Sequence, residues 1–286
     1  MTCATLEYCA VEGGRLAYED LGDGPPLILL HGFSFDHHAW DRQVGRLAAV
    51  HRVIRYDLRG FGRSSIPTGE YGHGEDLGEL ISHLGIVDPV LVGLSLGANV
   101  ALAYALDHPG GVRGLVLASP GLPGFFWDEV RPPDAAAAHA RLHGVDSARE
   151  FWLDSALFAP LRRDPTLFAP LARMVGRYHG WHWRHPNPVR MPPVLERLPR
   201  CDVPALILSG DLDVAGYRRI AAKLGSEMAA SRVLRFPDAG HVLNDEADLA
   251  FVTAVIEFAR APGGDPPTNT RRGSSDETGE LSTRGS

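Results

Sequence analysis

Short, uninterrupted apolar runs recur along this chain and restrict its fold more than any other feature. Runs of this kind are typical of strands that are buried on both faces of a parallel sheet. Residues 5–9 and 15–20, separated by Gly13-Gly14, add a predicted hairpin at the start. The alternation of strand and helix predicts an α/β fold with a mostly parallel, eight-stranded sheet and helices on both faces. The apolar runs lie at 27–30, 53–56, 89–92, 115–118, 206–208 and 233–236, and helical patterns lie at about 39–48, 73–84, 97–108, 217–224 and 246–260.

This alternation is interrupted once, between residues 122 and 200. The interrupting stretch is rich in proline, alanine and aromatic residues, and it predicts a helical lid inserted between two core strands. Residues 1–121 and 201–261 would then form the two parts of one core domain. Residues 262–286 have almost no apolar side chains. Because burial cannot offset the entropy that such a segment would lose on ordering, we predict a disordered C-terminal tail.

The bulk composition excludes several classes of partner. The formal net charge is −7, which disfavours nucleic acid because the phosphate backbone attracts basic surfaces. The three cysteines, Cys3, Cys9 and Cys201, form no disulfide framework and fit a reducing compartment. No signal peptide is evident, and no apolar stretch approaches the length of a membrane span. We therefore expect a cytoplasmic protein that binds a small molecule, with no nucleic-acid or membrane partner, and the oligomeric state stays open.

A serine between two glycines carries the strongest chemical signal. The string Gly93-Leu94-Ser95-Leu96-Gly97 matches G-x-S-x-G and lies between an apolar run and a helical pattern. A sharp strand-to-helix turn would hold Ser95 in a strained backbone conformation, with glycines where side chains would collide. The hydroxyl would then project above the sheet as a nucleophile. The alternative is a turn of small residues that only packs the helix against the strand.

A serine hydroxyl is a weak nucleophile unless a base accepts its proton. His241 follows the last apolar run, so it lies at the carboxyl end of a strand, where catalytic groups gather in open α/β sheets. The histidine needs an acid that fixes its tautomer and stabilises the imidazolium. Asp211 and Asp213 both follow the run at 206–208. We favour Asp213 and keep Asp211 as the second choice.

An oxyanion hole requires backbone N–H groups that are directed at the developing negative charge. The Leu96 N–H, directly after the nucleophile, is one predicted donor. The second donor should come from the loop after residues 27–30, where we choose the Phe33 N–H. His31 lies in the same loop and is interpreted as a brace of that loop, not as a catalyst.

Several motifs together resemble the α/β-hydrolase superfamily, in its order and with its spacing, from about residue 5 to residue 260. The chain is similar to the lidded branch of 3-oxoadipate enol-lactonases, carboxylesterases, cofactor-free haloperoxidases and C–C bond hydrolases. The resemblance implies an α/β-hydrolase fold, a triad of Ser95, Asp213 and His241, an oxyanion hole from the Phe33 and Leu96 amides, and no cofactor. The motifs are His31-Gly32-Phe33, Asp57-Leu58-Arg59-Gly60-Phe61-Gly62-Arg63-Ser64, Gly93-Leu94-Ser95-Leu96-Gly97, Gly210-Asp211-Leu212-Asp213 and Gly240-His241.

The same resemblance implies a structural role for the loop at residues 57–64, in which we expect Asp57 and Arg59 to form hydrogen bonds within the loop. Epoxide hydrolases and haloalkane dehalogenases of the superfamily use an aspartate nucleophile. Ser95 occupies that place in this chain, which argues against both activities.

Aromatic residues are concentrated in the predicted lid. Most of them would pack the lid against the core, and a few would line an apolar pocket over the nucleophile. We select Trp127 and Trp152 as substrate-binding candidates. His179, His182 and His185 share a spacing of three, but no carboxylate or cysteine is placed to complete a metal site. We therefore predict no metal ligands and interpret the three histidines as solvated or hydrogen-bonded.

These features predict a serine hydrolase of the carboxylesterase or lactonase type, class EC 3.1.1. It would cleave an ester or lactone of a small, hydrophobic substrate through an acyl-enzyme on Ser95. The alternatives on the same triad are C–C bond hydrolysis, perhydrolysis and a biosynthetic tailoring reaction. A ligand sensor that retains the triad is the alternative from a different class of protein.

Overall fold

The computed structural model describes residues 5–185, 191 and 194–261, and the predicted tail at 262–286 lies outside these described residues. Eight strands form one sheet. They are β1 (Glu7–Val11), β2 (Gly14–Leu21), β3 (Pro26–Leu30), β4 (Arg52–Tyr56), β5 (Val90–Leu94), β6 (Gly114–Ala118), β7 (Ala205–Gly210) and β8 (Ser231–Phe236). Their order in the sheet is β1-β2-β4-β3-β5-β6-β7-β8. β2 pairs antiparallel with β1 and with β4, and the other neighbours are parallel. This confirms the predicted α/β-hydrolase fold, with an eight-stranded, mostly parallel sheet and helices on both faces.

Helices follow most of the strands, as the sequence pattern predicts. The helix predicted at 39–48 begins with a 3-10 turn over His37–Trp40 before its α-helical part. The first helix packs against the last one, and the second packs against the third. The α-helices are α1 (Asp41–Leu47), α2 (His73–His83), α3 (Leu96–Asp107), α4 (Pro132–Leu153), α5 (Pro165–Arg177), α6 (Trp181–Arg184), α7 (Ala215–Glu227), α8 (Leu243–Glu246) and α9 (Asp248–Arg260).

Strand burial agrees with the apolar runs everywhere except at the end of the sheet. β5, β6 and β7 are buried along their whole length. The expectation that β8 is buried on both faces is wrong, because Val233 and Leu234 are exposed. Among the described residues, β8 pairs only with β7 and therefore forms an edge of the sheet. An apolar run alone does not distinguish an edge strand from a central one.

The segment between β6 and β7 contains α4, α5 and α6 and three 3-10 turns. Helix α4 is broken at Gly144, where the backbone has φ 84° and ψ 170°. Its second half is tied to the core, because the Trp152 indole Nε1 donates to the Ser34 Oγ at 2.7 Å and both side chains are buried. Within the described part of the chain, no helix has the length and apolar character that a membrane crossing requires.

The loop at residues 57–64 is held by buried polar contacts. The Asp57 carboxylate accepts from the Arg63 N–H at 2.7 Å, inside the loop, as expected. The expectation for Arg59 is wrong, because its guanidinium pairs with the Asp76 carboxylate of α2 outside the loop. That partner lies 17 residues further along the chain, and the local motif gives no signal for it.

Candidate active site

Ser95 occupies the turn between β5 and α3, with φ 53° and ψ −105°. Non-glycine residues rarely adopt positive φ, so the surrounding structure must hold this conformation. Gly97 is required at the turn because a Cβ atom there would lie 2.1 Å from the Leu30 carbonyl oxygen. A Cβ on Gly93 would lie 2.4 Å from the Ala98 nitrogen. The G-x-S-x-G spacing therefore lets helix α3 start directly against the sheet, with Ser95 at its first turn.

His241 and Asp213 are joined by a buried contact. The His241 Nδ1 lies 2.9 Å from the Asp213 Oδ2, and the two residues are 4% and 6% exposed. Their loops follow neighbouring strands and are also linked by backbone, because the Leu212 N–H donates to the Ala239 carbonyl at 3.0 Å. A Cβ on Gly210 would lie 2.3 Å from that same carbonyl oxygen. The glycine before the aspartates thus allows the close approach that brings the carboxylate to the imidazole.

Asp211, the second choice from the sequence, has a different partner from Asp213. Its carboxylate accepts from the Arg235 Nε at 2.8 Å on the exposed side of β8. The structure therefore brings Asp213 to His241 and leaves Asp211 in a surface ion pair.

Glu246 holds the loop around His241, a role that the sequence did not indicate. Its carboxylate accepts from the Gly240 N–H at 2.7 Å and from the Val242 N–H at 3.1 Å. Burial raises the pKa of Glu246, and the two N–H groups oppose that shift. Both amides that flank the imidazole are thereby fixed by one side chain of α8.

Phe33 and Leu96, which carry the two predicted oxyanion donors, line the same cavity as Ser95. Among the described residues, neither the Phe33 N–H nor the Leu96 N–H has an acceptor within the protein. His31 braces the Phe33 loop, because its Nε2 accepts from the Leu58 N–H at 3.0 Å. Burial lowers the pKa of His31, so the ring is neutral and able to accept that hydrogen bond.

Two spaces adjoin Ser95. We call the first the inner recess; it has a cavity volume of about 10 Å³, and both Ser95 and His241 line it. We call the second the outer cavity; it has a volume of about 510 Å³. Trp152 lines the inner recess and Trp127 lines the outer cavity. The structure thus places both tryptophans selected from the sequence beside Ser95, in different compartments.

Tyr217 lies beside Ser95 and was not selected from the sequence. It lines both the inner recess and the outer cavity, and its ring centroid lies 4.3 Å from that of His241 and 5.1 Å from that of Trp127. Burial raises the pKa of Tyr217, the Asp213 carboxylate raises it further, and contact with the Ser95 hydroxyl opposes the shift. The phenol is therefore protonated and able to donate a hydrogen bond beside the nucleophile. Its position in the first turn of α7, four residues after Asp213, is the only sequence signal for it.

His179, His182 and His185 of the helical insertion have separate partners, and the His179 Nδ1 accepts from the Trp181 N–H at 3.1 Å. The His182 ring lies between two phenols, with the Tyr178 hydroxyl 2.9 Å from its Nδ1 and the Tyr71 hydroxyl 2.7 Å from its Nε2. The His185 Nδ1 lies 2.9 Å from the Trp181 carbonyl oxygen. These contacts account for the histidines as hydrogen-bonded side chains.

Asp36, His37 and His38 form a different cluster whose ligand-type atoms all lie within 4.8 Å of one another. The sequence reasoning did not select it. The His38 Nδ1 lies 3.0 Å from an Asp36 oxygen, and the His37 Nδ1 lies 2.7 Å from an Asp57 oxygen. Each imidazole thus has a carboxylate partner.

The buried His73, at the start of α2, is expected to make the stability of the fold sensitive to acid. Burial lowers the pKa of His73 to about 3, whereas the pKa of a histidine in an unfolded chain is about 6.5. Between these values only the unfolded state binds the proton, so the free energy of unfolding should fall by about 1.4 kcal/mol per pH unit as the pH is lowered. Urea unfolding of the wild type and of His73→Gln from pH 7.5 to pH 4.5 should show that extra slope in the wild type alone. Parallel curves below pH 6 would contradict this expectation.

The sheet, its order of strands and the serine at the strand-to-helix turn define an α/β hydrolase. Residues 27–254 match the model of the alpha/beta hydrolase family, and the chain belongs to that family. A putative non-heme chloroperoxidase from Synechocystis is 30% identical over 245 residues, which cover 79% of this chain and 88% of that protein.

Two solved structures are similar over nearly the whole fold. A thermophilic esterase from Thermogutta terrifontis has a TM-score of 0.78 and 28% identity, and the match covers 90% of this chain and 98% of that one. An enol-lactonase from Burkholderia xenovorans has a TM-score of 0.77 and 26% identity, with 89% of this chain and 100% of that one covered. These relatives support hydrolase activity for the chain.

Proposed function

We propose that this protein is a serine hydrolase that cleaves a carboxylic ester or lactone through an acyl-enzyme on Ser95. One observation carries the proposal. His241 makes a buried 2.9 Å contact with Asp213, and His241 lines the same recess as Ser95. A nucleophile, a base and an acid that orients the base are the groups that acyl transfer requires.

The proposed reaction has two halves. His241 removes the Ser95 proton as the oxygen attacks the carbonyl, and the Phe33 and Leu96 amides hold the oxyanion. His241 then donates that proton to the leaving alcohol. A water molecule, deprotonated by the same imidazole, attacks the acyl-enzyme and releases the acid. None of these steps requires a cofactor.

The helical insertion, residues 122–200, is proposed to act as a lid over this site. Trp152 in α4 and Trp127 before it contribute apolar walls next to Ser95. Apolar walls with a few polar groups are typical of small-molecule pockets. They favour a small, partly hydrophobic substrate.

Perhydrolysis is the second candidate, and the chloroperoxidase-like relative is the observation that favours it. In that reaction hydrogen peroxide would replace water in the attack on the acyl-enzyme, and the product would be a peracid. Both candidates require the same acyl-enzyme on Ser95.

Labelling with a fluorophosphonate, followed by a panel of alkyl esters and lactones in a pH-stat, tests the proposal. We expect mass spectrometry to locate the modification on Ser95, and we expect acid release from at least one substrate. Peracid formation when peroxide is added would identify the second candidate. Labelling at another residue would contradict the proposal, and so would tight binding of the panel compounds without turnover, which is the behaviour of a ligand sensor.

A further inference from the structure

The inner recess and the outer cavity differ in whether His241, the proposed base, lines them. His241 lines the inner recess, whereas in the described part of the chain it does not line the outer cavity. Ser95 and Tyr217 line both spaces. A carbonyl carbon attacked by Ser95 would therefore have one substituent on the His241 side and the other on the outer side.

The chemistry of the proposed function decides which substituent lies on which side. The imidazole must protonate the leaving oxygen, so that oxygen has to come within hydrogen-bond reach of His241. The alcohol part of an ester then enters the inner recess, and the acyl part extends into the outer cavity. The cavity volumes are about 10 Å³ for the recess and about 510 Å³ for the outer cavity, so the alcohol side is by far the smaller of the two.

The walls of the inner recess are fixed. The Trp152 indole is hydrogen-bonded to the Ser34 hydroxyl at 2.7 Å, and it packs edge-to-face on Phe158 with ring centroids 5.4 Å apart. Trp152 is 3% exposed and Phe158 is 1% exposed. Because close-packed interiors accept added methylene groups only at a cost, these rings limit the size of any group beside His241.

We propose that the inner recess restricts the leaving alcohol to one or two carbons and then admits the water molecule that completes the reaction. This proposal rests on the proposed function and narrows it to methyl and ethyl esters of larger acids. The bond from the acyl carbon to the alkoxy oxygen breaks, the oxygen takes a proton from His241, and the small alcohol departs. Water enters the vacated space, gives a proton to His241, and its oxygen bonds to the acyl carbon as the Ser95 oxygen leaves with that proton.

A lactone fits this arrangement poorly. Its leaving oxygen stays attached to the acyl chain through the ring, so several ring carbons would have to occupy the recess together. The recess therefore favours open-chain esters over lactones.

Methyl, ethyl, propyl and butyl esters of phenylacetic acid test the size limit, with acid release followed in a pH-stat. We expect kcat/KM of the wild type to fall by about tenfold or more between the ethyl and butyl esters, because one misplaced methylene typically changes binding by ~10-fold or more. Phe158→Leu enlarges the recess and should raise the butyl-to-methyl ratio. Phe151→Leu is the matched control, since Phe151 lies in the same helical insertion, is exposed and stacks on His139, and it should leave the ratio unchanged.

Trp152→Phe provides a second test if Phe158→Leu fails to fold, and fluorophosphonate labelling of each variant shows that its site is intact. Equal or rising kcat/KM from methyl to butyl, with cleavage that still depends on Ser95, would overturn the size limit and leave the proposed function standing. Turnover of lactones in preference to methyl esters would overturn it as well. Absence of both labelling and turnover would refute the proposed function, and the size limit with it.

Discussion

Ser95→Ala is expected to reduce kcat for ester cleavage by about 10⁴- to 10⁶-fold and to abolish fluorophosphonate labelling. The reason is that Ser95 carries the only hydroxyl in Gly93-Leu94-Ser95-Leu96-Gly97, so no acyl-enzyme can form at the turn without it. The remaining rate should come from substrate binding and from the Phe33 and Leu96 amides. Because alanine keeps the Cβ atom and the positive φ of the turn, the fold should be retained, and circular dichroism with thermal unfolding would check this.

Ser119→Ala is the matched control for that experiment. Ser119 follows β6, the neighbouring strand, is 1% exposed and also has a positive φ of 42°. Among the described residues, its hydroxyl has no hydrogen-bond partner. Loss of a buried serine oxygen at this position should leave ester cleavage nearly unchanged. Full activity in Ser95→Ala would show that Ser95 is not the nucleophile, and an equal loss in Ser119→Ala would show that the loss is not specific to Ser95.

The parts of this fold that the sequence predicts are those set by local patterns and by general rules of parallel sheets. The turn at Ser95 is predicted because its requirement for glycines is visible within five residues. Asp213 and His241 are 28 residues apart, yet their proximity is predicted because each follows a strand and the carboxyl ends of parallel strands share one edge of the sheet. The strand order and the family agree with that reasoning.

The parts that could not be predicted depend on contacts between distant segments. Arg59 pairs with Asp76 on a helix, Glu246 holds the amides around His241, and Tyr217 lines both spaces beside Ser95. No local pattern distinguishes these side chains from ordinary surface or core residues. The exposure of Leu234 could not be predicted for the same reason, because the edge position of β8 depends on the order of strands in the whole sheet.

Asp213→Asn is expected to lower kcat by about 10⁴-fold while leaving KM and the fold nearly unchanged. The Asp213 carboxylate accepts from the His241 Nδ1, which fixes the proton on that nitrogen and leaves the Nε2 free to act as the base. An asparagine amide can instead donate to Nδ1, which places the ring proton on Nε2. The imidazole would keep its position and lose its ability to accept the Ser95 proton.

Asp211→Asn is the control that the chain itself provides, because it makes the same chemical change two residues away. Asp211 pairs with Arg235, whose side chain is 67% exposed, and exposed ion pairs contribute only ~0–1 kcal/mol to stability. Measurement of kcat for both variants on one methyl ester should therefore give a large loss for Asp213→Asn and almost none for Asp211→Asn. The reverse order would mean that the loop after β7 rearranges in solution so that Asp211 replaces Asp213 at the imidazole. Equal, small losses would mean that the His241 tautomer does not limit the reaction. The buried contact between His241 and Asp213 would then have only a structural role.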